Sequence, residues 1–305
     1  MKLNLKKVDF SHTLEKNLSG CVYPYKGKND PQGEKAVVKC ITLKKYSDLM
    51  QCFSDVIVGF DCKHSSIIPI LGYNISQNNQ EMMNDDGEFR FFIKMPRIEQ
   101  NLFDYMKNPS RTNEEFEYIV KNFFSLVCGL EYLHSRKIVH RNIQPSNIFI
   151  DDGGNFKLSI FGSATVVLKE DKNDNLNEML NCQMAPKYHP PELQNPSNYK
   201  NEEIFYKVDV WNLACLISEF CLPKTQNEEL EKDLFLIEQE YGKTLANIIK
   251  NMLKHDPNER PSISDVRKEL EEKFEFLGNN PLKNKNANSN PKDLLSAVNH
   301  QVKFK

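Results

Sequence analysis

Near residue 100 the patterning of this chain changes from strand-like to helical, and few architectures accommodate such a change. Before it, Cys21 to Tyr25, Ala36 to Leu43 and Phe89 to Met95 are rich in Val, Ile, Phe and Tyr, with polar turns such as Gly27 to Gly33 between them. These read as strands. Ser47 to Phe60 reads as one intervening helix. From Leu102 onward, apolar residues recur three and four apart in Phe116 to Leu133, Val208 to Phe220, Leu245 to Leu253 and Ile263 to Phe276, the mark of helices with one buried face. Asn113, followed by Glu114 and Glu115, suits the start of the first of these helices: a capping side chain, then acids that favour the dipole. A strand-rich part followed by a helical part is an α+β arrangement.

The chain has 305 residues and is 39% hydrophobic, enough for one large core or two joined lobes. Its 40 Lys and Arg nearly balance 42 Asp and Glu, so no global field selects nucleic acid or a membrane as partner. Cys21, Cys40, Cys52, Cys62, Cys128, Cys182, Cys215 and Cys221 are scattered without a CxxC pair, which reads as buried thiols in a reducing compartment. The basic opening MKLNLKK runs into Val8, Asp9, Phe10 and Ser11 rather than an apolar segment, unlike a signal peptide, and no stretch reaches the roughly 18 apolar residues of a membrane span. An intracellular, cytoplasmic protein with no membrane partner is expected. Residues 278–305 carry five Lys against one Asp among many Asn and read as a flexible tail.

The run His140, Arg141, Asn142, Ile143, Gln144, Pro145, Ser146, Asn147 resembles the catalytic loop of eukaryotic-type protein kinases, HRDLKxxN. Around it, in the family's order, stand AVVK at Ala36 to Lys39, GLEYLH at Gly129 to His134, IFG at Ile160 to Gly162, PPE at Pro190 to Glu192, Asp209 with Trp211, and Arg260 in DPNERPS. The resemblance covers about residues 10 to 277. It implies a bilobal fold, with a small β-rich lobe over 1–97, a larger helical lobe over 98–277, and a nucleotide-sized cleft between them.

The same resemblance identifies what is missing. Phosphoryl transfer needs a lysine on the phosphates, metal ions held by Asp and Asn, and an Asp that accepts the hydroxyl proton. The base position is Asn142, a neutral amide without usable basicity. The lysine that contacts the transferred phosphate is replaced by Gln144. The metal-binding Asp of DFG is replaced by Ile160, thirteen residues after Asn147 at the family's interval, and Ile cannot ligate magnesium. Asp151 and Asp152 fall in a turn between strands, away from the cleft. Of the glycine-rich loop only Gly20 remains, with Glu15 and Asn17 at the other two glycine positions. The activation segment has no Ser, Thr or Tyr from Val166 to Lys187, and Ala185 stands where a Thr is usual.

The nucleotide-binding candidates are Lys39, Asp55 as its partner, Asn147, Gly20 and Met95. Lys39 reads either as a nucleotide contact or as a structural ion-pair residue, and Asn147 either as a leftover metal ligand or as a bond to the loop backbone. His140, Arg141, Glu192, Asp209 and Arg260 match structural positions of the family. Loss of chemistry with retention of architecture implies a pseudokinase that scaffolds or regulates a protein partner, such as an active kinase. No cofactor is required on this reading; ATP without magnesium is the one compatible with Lys39 and Asn147. The alternative is a weak or atypical ATP-dependent kinase or transferase. Nucleic-acid binding through the Lys-rich tail is the least favoured.

Overall fold

A computed structural model of the chain describes residues 3–17, 20–27, 30, 34–43, 56, 59–60, 62–76, 89–108, 115–159, 165–166, 185–194, 203–222 and 230–277. The first region is an antiparallel sheet of β1 (Glu15–Asn17), β2 (Gly20–Pro24), β3 (Ala36–Leu43), β4 (Gly72–Ser76) and β5 (Phe89–Pro96), in the order β1-β2-β3-β5-β4. Period-two alternation gives this sheet two working faces. Leu43, Phe91 and Ile93 join the main core, while Ala36, Val38, Cys40 and Phe92 form a second cluster on the other side.

That second face is covered by the chain's own beginning. Leu3 N–H donates to the Tyr73 carbonyl at 2.8 Å, Asp9 N–H to Pro24 at 3.0 Å, and Lys26 N–H to Lys7 at 2.8 Å. The segment therefore crosses the sheet from β4 to β2. Leu3 and Val8 are buried in the second cluster, and the Phe10 ring packs edge-on against Tyr23 and Phe92 at 5.2 and 5.9 Å.

The second region is helical. Around two short strands, β6 (Gln100–Asn101) and β7 (Ile138–Val139), run α1 (Leu102–Met106) and α2 (Phe116–Ser135). Then come β8 (Ile148–Ile150), β9 (Phe156–Leu158), β10 (Thr165–Val166), α3 (Glu203–Cys221), α4 (Leu230–Tyr241), α5 (Lys243–Met252) and α6 (Ile263–Lys273). The core runs along α2 and α3, whose buried residues include Phe123, Phe124, Leu126, Leu213, Leu216 and Phe220. A capping box starts α6: the Ser262 hydroxyl accepts from Asp265 N–H while the Asp265 carboxylate accepts from Ser262 N–H.

Among the described residues, backbone bonds join the two regions around Ser66 and Leu158. Leu158 N–H donates to the Ser66 carbonyl at 2.7 Å, Ile68 N–H to the Leu158 carbonyl at 2.9 Å, and the Ser66 and Ser125 hydroxyls bond at 2.8 Å. Gly129 on α2 permits this: a Cβ there would lie 3.0 Å from Leu158 Cδ1 and 3.2 Å from Ser66 Cβ.

Several element assignments need correction. Strands β1 and β4 and helix α4 carry little sequence pattern and were not expected. Helix α2 is entered through Glu115, which makes no side-chain cap bond; Asn113 lies outside the described residues. The last helix stops at Lys273, because Phe274 turns extended (φ −124°, ψ 90°) before a single 3₁₀ turn at Glu275–Leu277. Of Ser47 to Phe60 only Val56, Gly59 and Phe60 are described, all helical. Residues 278–305 lie outside the described residues.

Candidate functional site

The loop from His140 to Asn147 hangs between β7 and β8 and is organised from below by one carboxylate. Asp209 on α3 is fully buried, and accepts from His140 N–H at 2.8 Å and Arg141 N–H at 2.7 Å while lying 2.9 Å from His134 Nε2. These bonds hold Arg141 in the left-handed region, at φ 62°, where a non-glycine residue needs support from its surroundings.

His140 acts as a strut. Its Nε2 lies 2.9 Å from the Ser159 carbonyl, and its Nδ1 accepts from Asn142 N–H at 3.3 Å. The neutral tautomer protonated at Nε2 satisfies both bonds. Burial lowers the pKa of this ring, Asp209 opposing the shift, so the imidazole is neutral and occupied.

Asn147 bonds across the loop, its Nδ2 donating to the Asn142 carbonyl at 2.9 Å, while its own carbonyl accepts from Ser159 N–H at 2.9 Å. Asn142 is thereby fixed at backbone N–H and C=O. The residue is only 8% exposed, and its Oδ1 is buried with no hydrogen-bond partner among the described residues. Gln144 reaches the other way, its Oε1 accepting from Ala185 N–H at 3.4 Å. Past Ser159, Thr165 and Val166 pair with Val139 and Ile138.

On the sheet, Lys39 sits in β3 opposite Val22 and Ile93, and half-buried Met95 in β5 sits opposite Val37. Gly20 opens β2 at φ +133°, and a Cβ there would come within 2.1 Å of the Cys40 carbonyl oxygen. That close approach to β3 is reason enough for a glycine, independent of any ligand. Exposed Glu15 pairs with Val22 in β1. Asp55 and Ile160 lie outside the described residues.

Magnesium finds little here. The side-chain oxygens on the described loop are all neutral, the amides of Asn142, Gln144 and Asn147 and the Ser146 hydroxyl, and the Gln144 oxygen already accepts from Ala185 N–H. No cluster of three His, Cys, Asp or Glu suited to a metal exists among the described residues. Asp151 caps the β8–β9 turn, its Oδ1 accepting from Gly153 N–H at 3.0 Å and Asn155 N–H at 2.8 Å while Oδ2 pairs with Lys157 at 3.0 Å. Among the described residues the hard, anionic oxygen set that Mg²⁺ favours is therefore missing, Asn142 being neutral, and an isoleucine side chain such as that of Ile160 has no donor atom. The residues do not fit the metal.

The framework below the loop is densely bonded around Arg260 and Glu219. Arg260 and Glu192 meet in a buried bidentate pair, and the remaining guanidinium donors go to the carbonyls of Lys254 (2.6 Å), Lys207 (3.2 Å) and His255 (3.2 Å). Tyr188 donates its hydroxyl to Glu219 on α3, which also pairs with Lys187 at 2.6 Å. Glu219 escaped sequence reasoning. Its signal was a lone acid in the apolar run Leu213 to Cys221, which asks for a buried partner. His134 was seen only as part of a motif; its bond to Asp209 depends on α2 and α3 packing side by side.

Comparison with known proteins places this geometry. The family described as Protein kinase domain matches residues 18–270. The chain is similar to human Serine/threonine-protein kinase Nek5, 27% identical over 280 residues, covering 87% of this chain and 36% of that protein. It is 26% identical to mouse Serine/threonine-protein kinase Nek1 over 78% of this chain and 19% of that protein. It is 33% identical to Probable serine/threonine-protein kinase nek3 of Dictyostelium discoideum over 63% and 17%. The chain thus spans about a third or less of the length of these curated relatives. No described helix is long and apolar enough to cross a membrane.

Proposed function

The chain belongs to the protein kinase domain family, and we propose that within it this member is a pseudokinase, a folded kinase domain that acts by binding a protein partner rather than by transferring phosphate. One observation carries this reading. The residue at the reactive position of the loop, Asn142, is held by backbone bonds at both ends and carries a neutral, buried amide. Loss of a general base typically lowers a rate by about 10² to 10⁴, and the absent metal ligand removes several kcal/mol of charge stabilisation. A kinase starting from roughly 1 to 100 per second falls below useful turnover.

The bonded framework beneath supports a working domain rather than a relic. Asp209, Glu192 and Arg260 keep demanding buried contacts that a drifting sequence has no reason to preserve. The partner is a protein, an active kinase being the natural candidate, and the site of action is cytoplasmic. The regions are the sheet-bearing 1–97, the helical 98–277 and the tail 278–305.

Incubating the chain with labelled ATP, with and without magnesium, and a generic protein substrate tests the reading. No transfer above background is expected. Transfer abolished by Lys39→Ala overturns it. A second reading, residual ATP-dependent transfer, draws on the retained Lys39 in β3; titration at millimolar ATP without a thermal shift removes it.

A further inference from the structure

In the β2–β3 ladder Cys21 lies directly opposite Cys40, and both thiols are free. Residues opposite one another across an antiparallel pair share a face, here the outer face with Phe92, which pairs Cys40 from β5. Tyr25 N–H donates to the Ala36 carbonyl at 3.0 Å, which makes that pair hydrogen-bonded. Alternation along the ladder then makes Cys21 and Cys40, four positions on, a hydrogen-bonded pair as well, with Cα atoms about 5.5 Å apart. A disulfide spans Cα separations of roughly 4.4 to 6.8 Å. Side chains in such a pair stand farther apart than in the alternating kind, so the bond would form under strain and be readily reduced.

We propose that Cys21 and Cys40 are a reversible thiol pair that closes into a disulfide by exchange with a small-molecule disulfide, bracing β2 against β3. Half-buried Cys21 meets the reagent first. Its thiolate attacks one sulfur, forming a mixed disulfide and releasing one small thiol. The Cys40 thiolate then attacks Cys21 Sγ, and the second small thiol leaves with the pair's electrons: two protein thiols are oxidised and one small disulfide is reduced. Burial pushes the Cys40 thiol up to about 11, so this second step is slow, and closure follows sustained rather than brief oxidation. The strands can yield, because among the described residues β2 is flanked on its far side by the short β1 and two further bonds, from Leu14 N–H to the Val22 carbonyl and from Asp9 N–H to the Pro24 carbonyl. The link closes beside Gly20 and one residue from Lys39, at the corner where a Cβ on Gly20 would run into the Cys40 carbonyl. The inference is independent of the pseudokinase reading.

Treating the full chain with oxidised glutathione, blocking residual thiols with iodoacetamide and digesting with trypsin tests it. The peptides Asn17 to Lys26 and Cys40 to Lys44 should appear joined, be released by dithiothreitol, and remain separate in Cys21→Ser. Hydrogen exchange at residues 20–24 should slow in the oxidised protein. A mixed disulfide left standing on Cys21, both cysteines still reduced, or unchanged exchange in the linked protein overturns the proposal.

Discussion

Arg260 meets Glu192 edge to edge, NH1 to Oε1 at 2.5 Å and NH2 to Oε2 at 2.6 Å, with both side chains sealed from solvent. The guanidinium also lies 4.8 Å above the Trp211 ring, so five hydrogen bonds and an aromatic face converge on one residue.

Arg260→Ala leaves the Glu192 carboxylate buried and unpaired, and should cost about 3 to 5 kcal/mol in denaturant unfolding. Glu192→Gln/Arg260→Met should lose less than the two single changes summed, because neither partner then keeps an orphaned charge. A double variant as unstable as that sum would mean the pair is not coupled.

Gly20→Ala should destabilise the β1–β2 arm by about 1 to 3 kcal/mol, since its Cβ would meet the Cys40 carbonyl oxygen at 2.1 Å and its φ is +133°. Hydrogen exchange is the measurement, with faster exchange expected across residues 20–24 and little change in α2.

On the proposed reading, Asn142→Asp supplies an acid at the base position and should still yield no phosphate transfer, because the Ile160 side chain has no oxygen for a metal. The new carboxylate also enters a site only 8% exposed, where burial raises its pKa, and the variant should melt lower than the parent at neutral pH. Transfer by Asn142→Asp alone would mean that the base was the only missing part.

His64 makes the acid limb of stability steep. Burial, reinforced by Arg267, Lys157 and Arg136, lowers its pKa from 6.5 to about 4, and its Nδ1 accepts from Ser66 N–H at 3.1 Å, which a protonated ring cannot do. The folded state holds the ring neutral while the unfolded chain takes up a proton, so its contribution is complete above about 6.5 and lost as pH falls toward about 4. His64→Asn keeps an acceptor for Ser66 without titrating, and unfolding curves across that window should be flatter in the variant.

Much of this molecule is legible along the chain. The eight-residue β3 and β5 and the twenty-residue α2 show through patterning, because each is a long run rich in apolar residues. Strand β1, with three residues, and α4, with a mixed surface, are too short or too polar for a pattern to emerge. Leu3, Leu5, Val8 and Phe10 stand among lysines and polar residues, and nothing local marks them as the cover of a sheet.

The site divides along the same line. That Asn142 cannot take a proton near neutral pH and that Ile160 cannot hold a metal follow from the atoms of those side chains, whatever the fold around them. What Gly20, Asn147 and Asp209 do is a matter of approach: the backbone of β3 at 2.1 Å from a hypothetical Cβ, a loop carbonyl at 2.9 Å, and two loop amides at 2.7 and 2.8 Å. Such contacts join residues as many as 69 positions apart. The motif resemblance points to a structural place for Asp209 and offers the loop bond as one of two readings of Asn147, but which atoms meet is set by how the packed elements approach, and the periodic pattern records only each element's own buried face.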